Sequence, residues 1–231
     1  MADRALIILT SHGKLGDTGK QTGFYWEELA TPYWALVDHG LEVDLASVQG
    51  GEPPADPGSA EEENVNDDVR RFLADDTAMK ALKNTAVVET VDASAYRVVY
   101  VPGGHGTMFD LSQTPAVGEL VAKAFDGGAV VGSVCHGPAG LLDVTLESGE
   151  PLIKGRMVTG FTNEEEKAVG LEEAVPYLLE DRLRELGGDY VKGDPFEPNA
   201  VRDGRLVTGQ NPASSQKVGK LMIEALSVED D

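Results

Sequence analysis

The only cysteine of the chain, Cys135, stands directly before a histidine, His136, in the stretch VVGSVCHGPAG, residues 130–140. A thiol beside an imidazole supplies a nucleophile and a base. The surrounding Ser133-Val134-Cys135-His136-Gly137 reads small-x-nucleophile-x-small. That spacing suits a sharp strand-to-helix turn, where bulky neighbours of the nucleophile would clash. The turn would hold the sulfur out of the core at a helix N-terminus, where the dipole favours a thiolate. A free cysteine is otherwise most often buried and inert. Its place at the end of an apolar run favours the reactive reading.

The chain has four histidines, His12, His39, His105 and His136, and none follows position 136. A base arriving late in the chain, as in papain-like proteases, α/β-hydrolases and glutamine amidotransferases, is thereby excluded. His136 remains the best base, and an imidazole base needs an orienting acceptor. The segment GFTNEEEKAVG (160–170) offers Glu164, Glu165 and Glu166, and the residues alone do not select among them. A second glycine-rich segment, VVYVPGGHGTMFDL (98–111), brings Gly103 and Gly104 to another strand end. Their amides would form half of an oxyanion hole, with the Cys135 and His136 amides as the other half. His105 is either a substrate contact or an ordinary surface histidine. Glu28 follows the aromatics of TGFYWEELATPYW. Pointed into the site it would stay protonated and donate to the sulfur; pointed outward it is a solvated carboxylate.

These residues need a frame that converges strand ends. Apolar, β-rich runs at Ala5–Thr10, Leu41–Ser47, Arg97–Val101 and Ala129–Val134 alternate with helical patterns over Gly23–His39, Val65–Ala81 and Ala116–Phe125. The near-continuous apolar runs fit parallel strands covered on both faces. The order predicts an α/β fold: a three-layer α/β/α sandwich around a flavodoxin-like, doubly wound, mostly parallel sheet. Ligands of such sheets bind beyond the strand carboxyl ends. In the last third, PLIKGRMVTGF reads as a strand and VPYLLEDRLRELGG as a helix. Asp203-Gly204 marks a type I′ hairpin, and NPASSQKVGKLMIEAL reads as a final helix with Pro212 in its first turn. No internal repeat or linker divides the 231 residues, so one domain is expected over 1–231. The Pro-, Gly- and acid-rich stretch over residues 50–68 reads as a solvated loop, with a flap over the site as the functional alternative.

Forty acidic residues against nineteen basic give a formal net charge of −21. Nucleic-acid binding, which rests on Lys/Arg contacts to phosphate, is disfavoured, as is an anionic membrane surface. No apolar run approaches a membrane span. The N-terminal MADRALIILTSHG reads as a first strand rather than a signal peptide. A lone cysteine provides no disulfide framework, so a cytoplasmic location is expected. The acidic excess runs along the whole chain, a pattern that halophiles use, and points to a salt-adapted cytoplasm. The sequence shows no metal-ligand cluster and no G-x-G-x-x-G after the first strand, so no cofactor is expected.

PGGHGTMFD, GAVVGSVCHGPAGL and TGFTNEEE, in this order on an alternating sheet, resemble the ThiJ/PfpI superfamily. They are most similar to its branch of glutathione-independent glyoxalases (glyoxalase III) and heat-shock chaperones. LTSHG…TGFYWEEL.TPY and DGRLVTGQNPASS extend the resemblance over nearly the whole chain. It implies the class I glutamine amidotransferase-like fold, with Cys135 as nucleophile and His136 as its partner. It also implies Glu166 as triad carboxylate, with Glu165 as the fallback, and Glu28 against the sulfur. The implied activity converts a small 2-oxoaldehyde such as methylglyoxal to a 2-hydroxy acid through a hemithioacetal on Cys135. Either His136 or Glu28 would move the proton, and no metal, nicotinamide or glutathione is needed. Homodimers are common in the family. A redox-sensitive holdase chaperone is the alternative, followed by a protein deglycase or a cysteine peptidase-like amidohydrolase.

If the acidic surface is a salt adaptation, molar KCl should raise the melting temperature by screening self-repulsion. Melts unchanged between low and molar salt would remove that reading.

Overall fold

A computed structural model describes residues 3–227. The main sheet contains β1 (Arg4–Leu9), β2 (Glu42–Ser47), β3 (Ala86–Val87), β4 (Val98–Val101), β5 (Val130–Val134), β8 (Ala200–Asp203) and β9 (Leu206–Gly209), in the order β3-β2-β1-β4-β5-β9-β8. Every pairing is parallel except β8 with β9 at one edge. A separate parallel pair joins β6 (Met157–Val158) to β7 (Asp189–Tyr190). The order reverses direction at β1, which lies between β2 and β4, so the crevice for a ligand opens over the ends of the central strands.

Alternation along each central strand builds two cores. Ala5, Ile7 and Leu9, with Val98 and Tyr100, pack beneath α1 (Trp26–Asp38), α2 (Asp67–Ala74), α3 (Asp76–Lys83) and α8 (Ser215–Leu226). Leu6, Ile8, Val99 and Val101 face the opposite way, toward α4 (Thr107–Asp110), α5 (Pro115–Asp126) and α7 (Leu179–Glu185). The period of two with both faces apolar is the reason these strands read as continuous runs.

Several predicted elements differ in detail. Helix α1 begins at Trp26, because Phe24 and Tyr25 are spent on bonds to Pro54 and Gly103 carbonyls. The predicted helix over 65–81 is two helices: Asp75 ends α2, and its side chain caps α3 by accepting from the Thr77 and Ala78 amides. Of PLIKGRMVTGF only Met157 and Val158 are strand, since the chain before them turns through Gly155 at φ 69°. In the hairpin, Asp203 pairs with Leu206 and Gly204 alone of the turn residues has positive φ. That is the glycine-first II′ arrangement and not I′.

Helix α1 carries a proline in its interior, Pro32. Proline has no N–H, so the Glu28 carbonyl one turn earlier loses its helical donor. The Tyr100 hydroxyl donates to that carbonyl at 2.7 Å from the central strand β4. Helix and sheet are thus tied at the residue whose side chain the site uses. Tyr100→Phe should cost about 1–3 kcal/mol, because it leaves a buried carbonyl without a donor. Adding Pro32→Ala should recover part of the loss by restoring the N–H. Chemical unfolding of the single and double variants measures both, and a neutral Tyr100→Phe would refute the tie.

Candidate active site

Strand β5 ends in Cys135, whose φ of 58° is unusual for a non-glycine residue. Its N–H donates to the Gly209 carbonyl at 2.9 Å and its carbonyl accepts from Phe161 N–H at 2.8 Å. The Ser133 hydroxyl donates to the Val101 carbonyl at 2.9 Å. A Cβ on Gly137 would fall on that same carbonyl and on Ser133 Oγ. The small residues on each side of the cysteine are therefore steric requirements, as their spacing predicts. The chain continues from His136 into a five-residue 3-10 turn, Gly137–Leu141, in place of the expected α-helix.

The turn folds His136 back onto its neighbour, with Nδ1 3.3 Å from Cys135 Sγ. His136 Nε2 meets Glu166 Oε2 at 2.7 Å, and His105 Nε2 meets Glu166 Oε1 at 2.8 Å. Glu166 sits in the short helix α6 (Asn163–Ala168), which opens with a capping box. Thr162 Oγ1 accepts from Glu165 N–H while Glu165 Oε2 accepts from Thr162 N–H and Oγ1–H. Glu165 Oε1 takes three further donors, from Phe196 N–H, Gln210 and Asn211. Glu165 is thus a buried structural hub, and Glu166 is the carboxylate on the imidazoles. Thr162-x-x-Glu165 is a capping signature legible in the sequence, and it separates the two glutamates. Glu164 lies outside this network.

Glu28 is fully buried. One oxygen, Oε2, accepts the Gly103 N–H at 2.7 Å. The other, Oε1, receives no N–H or O–H among the described residues, and the carboxyl faces the Cys135 sulfur. Gly103 therefore does not serve the oxyanion role expected of it, because its amide is spent on Glu28. Gly104 does line the site; at φ 94°, with the Gly23 carbonyl oxygen 2.2 Å from where a Cβ would stand, only glycine fits there.

Gly104, His105, Cys135 and His136 line a cavity of about 750 Å³. Tyr25, the residue before α1, lines it, as do Phe161, Leu171 and Phe196. Phe161 and Phe196 sit in loops with no periodicity, so sequence reading missed them. Asp56, Pro57, Gly58 and Glu61 also line it, so the acidic stretch is part of the site and more than a solvated loop. Asp56 holds it in place by accepting from Thr22 Oγ1 at 2.8 Å and from Gly58 N–H at 2.9 Å. Contrary to the sequence reading, one group could ligate a metal: ligand atoms of His105, His136 and Glu166 lie within 4.8 Å of one another. Each Glu166 oxygen already meets an imidazole nitrogen, so an ion would have to displace both contacts.

The sequence profile of the DJ-1/PfpI family matches residues 21–225. The chain belongs to this family. It is 31% identical to the glutathione-independent glyoxalase HSP31 of Saccharomyces cerevisiae, over 96% of this chain and 98% of that one. The crystal structure of glyoxalase III from Candida albicans superposes with a TM-score of 0.88 at 30% identity, covering 96% of this chain and 97% of that one. The Rapid Encystment Protein structure from Francisella tularensis gives 0.93 at 34% identity, covering 98% and 100%.

In this DJ-1/PfpI site the environment sets each charge. Burial, then the neighbouring Glu28, pushes the Cys135 thiol well above its ordinary range. Cys135 is only 4% exposed, so the expected accessible thiolate is corrected to a buried thiol, and the short 3-10 turn is no long dipole. Burial likewise raises Glu28 well above the usual carboxylate range, against the opposing Gly103 bond. Burial lowers His136 and so holds it neutral. Glu166 is the exception: burial would raise it, but His136 and His105 together bring it well below the usual range. Tyr25 is raised by burial and by Glu28, so it stays a phenol.

A carboxyl held protonated by the fold opposes folding progressively as pH rises above its unfolded value of about 4.3. Glu28→Gln keeps a neutral acceptor for Gly103 without that proton cost. It should match the parent's melting temperature near pH 4 and exceed it near pH 8. Equal melts at both values would show that Glu28 is not held protonated.

Proposed function

We propose that the chain is a glutathione-independent glyoxalase, converting methylglyoxal-type 2-oxoaldehydes to 2-hydroxy acids, D-lactate from methylglyoxal. Neutral His136 takes the thiol proton through Nδ1 as Cys135 Sγ bonds to the aldehyde carbon. The developing oxyanion lies near the Gly104 and His136 amides and is protonated by the imidazolium, which completes the hemithioacetal. Protonated Glu28 then gives its proton to the neighbouring carbonyl oxygen, and its carboxylate takes the hydrogen from the thiol-bearing carbon, leaving an enediol. Return of that proton to the second carbon, with the first oxygen's proton passing to the Glu28 carboxylate, yields the 2-hydroxy thioester and restores protonated Glu28. Water cleaves the thioester and restores the thiol. The net change adds one water and needs no external oxidant or reductant.

The observation that carries this reading is the fully buried Glu28 carboxyl, held by the Gly103 N–H against the Cys135 sulfur. A hydrolase needs one base at its nucleophile, whereas moving a proton between adjacent carbons needs a second acid-base group. The relatives' names and full-length coverage support it. A redox-sensing role gains nothing from the structure, since a buried, raised thiol is a poor sensor. Among the described residues no helix is long and apolar enough to cross a membrane. A salt-adapted cytoplasmic home is supported by the acidic excess, and homodimer formation by the family resemblance.

Lactate should form from methylglyoxal without added thiol, and Cys135→Ala should abolish it. Glu166→Gln should lower kcat by roughly 10²-fold or more. Because burial lowers His136, the acid limb of kcat/KM against pH should fall below the ordinary imidazole value of about 6.5. Lactate formation retained in Cys135→Ala would refute the covalent route.

A further inference from the structure

The three-carbon methylglyoxal leaves most of a cavity of about 750 Å³ unfilled, since cavities of this size hold drug-sized ligands. The surplus space is apolar on one side. Phe196 and Val169 are two of the four large hydrophobic residues exposed among the described residues, at 47% and 44%, and both line this cavity. They come from different segments, and Leu171 also lines the cavity. Phe196 is also, with Cys135, one of two non-glycine residues at positive φ among the described residues, at 62°. Backbone strain of this kind persists only where the surroundings impose it, and it clusters at functional positions. Here the imposing contact is plain: the Phe196 N–H donates at 2.8 Å to buried Glu165, so an unfavourable backbone holds an aromatic ring in the open.

The ring is directed along a path to the chemistry. Phe196 meets Phe161 edge-on with centroids 6.3 Å apart. Phe161 lies over His136 at 4.4 Å, and His136 contacts the sulfur. The same cavity is also lined by two acids, Asp56 and Glu61, and one base, Lys20, a net acidic set that disfavours an anionic tail. A neutral apolar group on the ketone carbon would lie against Phe161 and Phe196 while the aldehyde reaches Cys135. Resting on the glyoxalase reading, we propose that this site selects 2-oxoaldehydes with an aryl or branched alkyl tail, and that Phe196 is the residue setting this specificity.

The test compares phenylglyoxal with methylglyoxal in the parent, Phe196→Ala and Phe196→Gly. Glycine suits the positive φ, so the second variant removes the ring while relieving the strain, and its melting temperature should not fall. The parent should show the higher kcat/KM for phenylglyoxal. Both variants should lose roughly tenfold or more of that value while methylglyoxal turnover changes far less. A parent preference for methylglyoxal, or an equal loss on both substrates in Phe196→Gly, would overturn the proposal. A binding arm separates this result from the reaction itself: calorimetry of the products should show mandelate binding the parent more tightly than lactate, with the difference lost in both variants. Turnover of neither aldehyde would sink the glyoxalase reading. The mandelate preference would then decide the aromatic wall alone, its presence supporting the wall and its absence refuting it.

Discussion

A single residue in the left-handed region governs this site. Adjacent side chains on an extended strand point to opposite faces, so a thiol and the next imidazole would ordinarily diverge. At φ 58° Cys135 folds the chain back, and Nδ1 of His136 comes to 3.3 Å from Sγ. Such a conformation costs on the order of 1–3 kcal/mol and must be over-determined by its surroundings. Two backbone bonds from different segments, to Gly209 and from Phe161, clamp the residue on both sides. Ser133 and Gly137 clear the space in which the turn closes. Remove any of these and the nucleophile loses its partner without any change to the reacting groups themselves.

Around that turn, carboxylates of the same chemistry take unlike roles because their neighbours differ. Glu28 is fully buried, has one amide donor and lies against a sulfur, so neutrality is its favoured state. Glu166 has an imidazole on each oxygen and stays ionised. Glu165, one residue away, is consumed by five donors from three segments and serves the fold. Helix α1 delivers Glu28 through an unusual device: the proline that breaks its hydrogen-bond ladder creates the carbonyl by which the sheet holds it.

The central strands were legible because burial on both faces leaves unbroken apolar runs: Ala5–Thr10 was expected and Arg4–Leu9 is found. The elbow was legible because sterics dictate its residue types, and the missing downstream histidine narrowed the base to His136. The edges were less so. A run that includes Asp75 reads as one helix unless its capping preference is weighed, and two-residue strands such as Met157–Val158 carry no period. Gly103 was given an amide for the substrate that goes to Glu28, since spacing does not say where a side chain from another helix will point. Phe196 lay beyond sequence reading because an isolated aromatic in a Pro-flanked loop gives no hint of what it faces. Glu28 and Glu166 were singled out by resemblance; local composition left Glu28 open between site and solvent and did not select Glu166 from its two neighbours.

The carboxylate of Glu166 joins two imidazoles whose rings stand 4.0 Å apart. Each oxygen is thereby committed to a different ring, one beside the thiol and one from the segment after β4. A carboxylate fastened at two points cannot rotate about its last bond without losing both, so it works as a strut rather than a hinge. The ring it braces keeps its tilt, with Nδ1 turned toward the sulfur. The alignment of the nucleophile's partner is thus set from the far side of the imidazole, by a side chain carried on another element.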